Sequence, residues 1–207
     1  MLIILISIID YYLTSYLGYI IATYVYLKWK LLSINNLLIL AYFIKLPIVL
    51  LTWLFIKKYF SETKFNQTKY PKFKVYLIAL FPTIIFLIYR HIINDISYIE
   101  ISNYRQVVRY VITYLFLVPI VEELIYRGIM FRIIVNKNNI VVSSIIISFL
   151  FMLIHIDPNN IDLSYLFYIF ITGMVLFFVR LNNGLFNSIV VHSLINLTVY
   201  IFQLLVS

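Results

Sequence analysis

Long apolar runs, separated by brief polar clusters, restrict this chain more than any other feature. Of its 207 residues 64% are hydrophobic and 12% charged, where ordinary globular domains carry about a quarter charged residues. A soluble fold of this length could not hide so much apolar surface. The bilayer is the solvent that suits it, and a helix crossing it needs roughly 20 mostly apolar residues. Seven runs approach that length, at 3–27, 36–56, 75–93, 107–135, 140–155, 165–179 and 185–205. The expectation is an all-α, polytopic membrane bundle of about seven transmembrane helices. Residues 1–207 read as a single integral membrane domain, because no soluble stretch of useful size remains. The first run lacks a basic leader and a small-residue cleavage site, so it reads as a retained span. Pro119 interrupts the fourth run and predicts a kink there.

The net charge of +8 sits mainly in the short connections. That placement fits membrane topology and anionic headgroups, and nucleic acid is not expected as a partner. The stretch KKYFSETKFNQTKYPKFK holds Lys57, Lys58, Lys64, Lys69, Lys72 and Lys74. By the positive-inside rule it is cytoplasmic, which puts the N-terminus inside a plasma membrane and, after seven spans, the C-terminus outside. Arg127, Arg132, Lys137 and Arg180 then lie at or near the inner surface, and Asp157 and Asp162 outside; Lys28 and Lys30 run against the rule. The absence of Cys excludes disulfides, thiolate metal ligands and a Cys nucleophile.

Charged groups at membrane depth cost about 2.5–3.5 kcal/mol each at a helix centre, so each needs a reason. In LVPIVEELIYRGIMF, Glu122 and Glu123 are adjacent, about 100° apart around a helix. One can face a cavity while the other faces a packed neighbour. Arg127 is one turn beyond Glu123 and can pair with it. His155 ends the run SFLFMLIHI, one turn after Phe151, and His192 and Asn196 share a face of the last run. Each has a plain alternative: carboxylates that pack against arginines, an interfacial imidazole, a His–Asn pair that glues helices. Lys45 has Asp10 as its nearest candidate partner, and His91 reads as interfacial.

Their depths agree, however. Counted from the connection at 136–139, Glu122 lies ~20 Å and His155 ~22 Å into the membrane. Counted from Leu185, Asn196 lies ~17 Å and His192 ~10 Å deep. Two carboxylates, two imidazoles and a carboxamide that can reach one layer form a catalytic inventory.

Glu-Glu-x-x-x-Arg (Glu122, Glu123, Arg127), Phe-x-x-x-His (Phe151, His155) and His-x-x-x-Asn (His192, Asn196) stand in that order on separate runs. The pattern resembles the CPBP (Abi) family, which includes the type II CAAX prenyl endopeptidases and bacteriocin-processing or immunity proteins. The resemblance covers about 107–207. It implies a helical intramembrane peptidase of about eight helices with an active site open to the cytoplasmic side. It implies hydrolysis of a peptide bond in a membrane-associated peptide or protein. The Ile-, Asn- and Lys-rich composition points to an AT-rich bacterial genome, and hence to peptide maturation, bacteriocin self-immunity or signalling.

The expected roles are Glu122 as general base, His155 orienting the water, and His192 and Asn196 as oxyanion donors, with Glu123, Arg127 and Phe151 supporting the site. Desolvation favours the protonated form of a carboxylate, which suits a base working near neutral pH. A second mechanism stays open. Glu122, His155 and His192 could ligate a divalent metal such as zinc, in keeping with the metalloprotease label, although no HExxH is present. Two non-enzymatic readings also stand beside it. One is an immunity or scaffolding protein that uses the cluster for packing. The other is an ion pathway, which would need polar residues continuing to both faces.

Overall fold

A computed structural model describes residues 37–59, 71–93, 104–136, 138–157 and 159–206, together with positions 20, 23 and 24. The expected first span at 3–27, with the suggested Asp10 partner of Lys45, lies outside these apart from those three positions. The described residues are all-helical, in six helical stretches. These are α1 (Leu37–Tyr59), α2 (Lys72–Ile92), a composite helix over 104–135, α6 (Ile140–Leu153), α7 (Leu163–Asn183) and α8 (Leu185–Val206). Four helices are long and apolar enough to cross a membrane: α1, α2, α7 and α8. The seven crossings expected are therefore not reached among the described residues. At 14 residues, α6 spans only ~21 Å at 1.5 Å per residue, short of the ~30 Å hydrocarbon core. Conversely, α7 outruns its expected bounds of 165–179. Asp162 caps it two residues earlier, and its last turn tolerates Arg180 and two asparagines.

The composite helix departs from a simple kink. It runs through α3 (Tyr104–Tyr110), a π-helical segment (Val111–Leu117), α4 (Val118–Glu123), a second π-helical segment (Leu124–Met130) and α5 (Phe131–Val135). Pro119 lies in the first turn of α4, directly after the first π-helical segment.

The described residues form two compact units. The first joins α1 to the composite helix. Residues 121–135 are all buried, the charged Glu122, Glu123, Arg127 and Arg132 among them. Gly128 makes its closest approach: a Cβ there would lie 2.6 Å from Trp53 Cδ1.

The second unit contains α2, α6, α7 and α8. Its core is Val75, Ala79, Leu176, Val179, Val191 and Ile195. The Phe86 ring stacks on Tyr168 at 4.1 Å, and the Tyr168 hydroxyl donates to Thr83 Oγ1 at 3.2 Å. A Cβ on Gly173 would meet the Ser148 backbone at 3.0 Å, so α6 and α7 touch closely through small residues. Asn139 caps α6 by accepting from the Val142 amide at 2.8 Å, one of the donors a helix start leaves over. Gly184, at φ 88°, ends α7 and lets α8 begin at once.

Candidate active site

In the first unit, Glu122 and Glu123 occupy the last turn of α4 and are both buried. Glu123 accepts from Arg127 Nη1 at 2.9 Å, and both side chains are 0% exposed. A buried guanidinium and carboxylate one turn apart satisfy each other and fix the face that Glu123 presents. Glu122, about 100° round the helix, is directed elsewhere. Tyr42 lies on α1, which packs against α4 in this unit. Lys45, one turn further along α1, is buried with its Nζ 5.6 Å from the Tyr42 ring centroid, within the range of a cation–π contact. Tyr42 carried no motif and was not singled out from sequence.

In the second unit the two imidazoles converge. The Phe151 ring lies 4.8 Å from the His155 ring and 5.9 Å from the His192 ring, edge-on. One aromatic side chain thus packs against both histidines. His155 is not on the helix that the run 140–155 predicted, because α6 ends at Leu153 and His155 stands in the turn beyond. Its amide bonds to the Met152 carbonyl at 3.0 Å. The Phe151 carbonyl, one of those a helix end leaves over, accepts from His155 Nδ1 at 2.8 Å. A carbonyl can only accept, so Nδ1 carries the hydrogen and the neutral ring holds its lone pair at Nε2. His192 is buried in α8, and Asn196, one turn on, is half-buried.

A cavity of about 200 Å³ adjoins His155, lined also by Arg90, Asp157, Asn160, Asp162 and Tyr165. Sequence reading singled out neither Arg90 nor Asp162 as part of a site. Arg90 Nη1 pairs with Asp162 Oδ2. Asp162 Oδ1 accepts from Ser164 Oγ at 2.6 Å and from the Tyr165 amide at 3.0 Å. These bonds, the Ser164 hydroxyl foremost, hold the Asp162 carboxyl down at about 2, and Arg90 adds to them.

The donor set does not fit a metal centre within either unit. Glu123 is committed to Arg127, and no three His, Asp or Glu side chains converge on one point among the described residues.

Glu122 thus belongs to the first unit, and His155, His192 and Asn196 to the second. No curated protein and no solved structure matched the chain. A family model described as type II CAAX prenyl endopeptidase Rce1-like matches residues 104–198, a stretch that holds all seven motif residues. Over residues 104–198 the chain is thus similar to the Rce1-like type II CAAX prenyl endopeptidases.

Proposed function

We propose that the protein is an intramembrane endopeptidase that hydrolyses a peptide bond in a membrane-associated peptide or protein. The observation that carries this reading is the single Phe151 ring packed against both His155 and His192.

Glu122 is the general base. It takes a proton from water as the oxygen attacks the scissile carbonyl. His155 offers Nε2 to the same water, since Nδ1 is held by the Phe151 carbonyl. His192 and Asn196 donate to the oxygen on which negative charge develops. Glu122 then returns the proton to the leaving nitrogen. Glu123 and Arg127, tied to each other, keep the turn that carries Glu122 in place. The N-terminus is cytoplasmic, and the physiological role lies in bacteriocin self-immunity or peptide maturation.

The test compares wild type with Glu122→Ala, His155→Ala and His192→Ala in a cell-based immunity or peptide-processing assay at matched membrane abundance. Loss of a general base or an oxyanion donor costs about 10²-fold or more. We expect each variant to fall by at least that factor. Full activity in all three would overturn the hydrolytic reading and leave an immunity or scaffolding protein that works by binding.

A further inference from the structure

Most of the circumference of α1 is made for lipid. Phe43, Leu50, Leu51, Leu54 and Phe55 are exposed, and the only buried residues of this helix are Lys45 and Val49. Lys45, Val49 and Trp53 stand four residues apart, so they form one stripe along the helix. Trp53 shows where that stripe turns, because it packs at the place where Gly128 lacks a Cβ. Lys45 is also the only charged residue of α1 before its last turn. It stands ~12 Å in from Leu37 at 1.5 Å per residue, a depth at which a charge has to be balanced.

The register of α1 on the composite helix says what lies beside it. Within the first unit α1 packs on both π-helical segments and on α4 between them. Trp53, at Gly128, is six residues from the end of α1. An antiparallel α1 would have only ~9 Å of helix left to reach back past Glu122 to Leu117, which is ~16 Å from Gly128. The two helices therefore run parallel. Lys45 is eight residues before Trp53, ~12 Å back, and Glu122 is six residues before Gly128, ~9 Å back. The two side chains stand within ~3 Å in depth, and together they can bridge the ~8–10 Å between the axes of packed helices.

Charge points the same way. Among the described residues of this unit the carboxylates are Glu122 and Glu123, and Glu123 is bonded to Arg127. Arg132 is buried too, but it lies ten residues beyond Glu122, ~15 Å along the axis. Lys45 and Glu122 are the cation and the anion that share a depth.

We propose that Lys45 is the counter-charge of Glu122, a positioning residue that none of the three motifs contains. Its ammonium balances the buried carboxylate and holds it in one orientation, so that the oxygen that takes the water's proton has a fixed place. Opposite charges this close favour each other's charged forms, and a carboxylate has to be charged to act as a base. The Tyr42 ring, 5.6 Å from Lys45 Nζ, steadies the ammonium from one side. The effect on turnover rests on the proteolytic reading; the pairing itself does not.

A double-variant cycle on the full chain in detergent tests the pairing. Lys45→Met keeps the length of the side chain and removes its charge. We expect Lys45→Met and Glu122→Gln each to lower the unfolding temperature by about 5 °C or more. In the Glu122→Gln background, Lys45→Met is expected to lower it by no more than about 2 °C, because the pair is then removed from both sides. An equal loss in both backgrounds overturns the pairing, and so does a loss that disappears with Asp10→Asn instead. Should Lys45→Met alone fail to fold, a folded double variant reads the same coupling, and an unfolded one overturns it. Turnover is measured at equal amounts of folded protein, with an internally quenched peptide that the wild type cleaves. Lys45→Met is expected to lower kcat roughly 10-fold or more with KM unchanged, and Lys45→Arg to hold it within about 3-fold of wild type. A residue that only fills space would be replaced as well by Met as by Arg, so wild-type kcat in Lys45→Met overturns the positioning role. If Glu122→Ala still processes peptide, the proteolytic reading fails while the unfolding cycle still decides the pairing.

Discussion

Arg127 and Glu123 show how one turn of helix disposes of two charges that lipid would reject. Each is fully buried, and their bond at 2.9 Å removes most of the penalty either would incur alone. Breaking such a pair from one side costs about 3–5 kcal/mol, whereas replacing both partners with neutral groups costs less. Glu123→Gln and Arg127→Met are each expected to unfold far more easily in detergent, and the double variant to recover part of the loss. Thermal unfolding of all three checks this, and single variants that match wild type would refute it. Gly128 is a second sharp case. Its missing Cβ leaves room for Trp53, and forcing extra volume into a packed contact costs about 1–3 kcal/mol. Gly128→Ala is expected to lose that much stability, with partial recovery when Trp53→Leu is added. The Glu123–Arg127 pair was legible in sequence, because four-residue spacing places both on one helix face. The Trp53–Gly128 contact was not, since it joins residues remote in the chain and neither carries a motif.

At the level of elements, the starts of helices carry much of the information. Asp162 serves as the cap of α7 and as the partner of Arg90 on α2, so one carboxylate fixes a helix start and ties two helices together. Its folded value of about 2 lies below the ordinary 3.8. A depressed carboxylate stabilises the fold above its unfolded value and loses that contribution as pH falls through the folded one. Wild type is therefore expected to be more stable than Asp162→Asn above about pH 4. The gap should close as pH drops towards 2. Unfolding of both proteins across that range measures it, and a gap that is constant with pH would show that the charge plays no part. The sequence revealed where most helices lie, because apolar runs and polar breaks report directly on burial in lipid. It did not reveal the end of α6 before His155, since Ile154 is as apolar as the residues before it. Nor did it reveal the π-helical turns beside Glu122 and Glu123, because a five-residue register leaves no distinct mark in a run that is apolar on most of its length.

For the molecule as a whole, the outward-facing surface sets the conditions under which it can exist. Leu51, Phe55, Phe73, Phe81, Phe167 and Leu205 are all exposed, on helices of spanning length. Apolar surface on that scale is not carried by soluble monomers. The protein is expected to stay in the membrane pellet through an alkaline carbonate wash; release into the supernatant would contradict an integral membrane fold. The motif residues were readable in order and spacing before any coordinates. The cavity beside His155 was not, because Arg90 and Asp162 stand 72 positions apart and meet only once α2 and α7 pack. The reversal at Gly184 has a bearing on biosynthesis. A single residue at φ 88° separates two helices each long enough to cross the bilayer, so only the brief polar turn at 180–184 lies between them. The two helices are thereby expected to enter the membrane together, as one inserted hairpin that carries His192 with it.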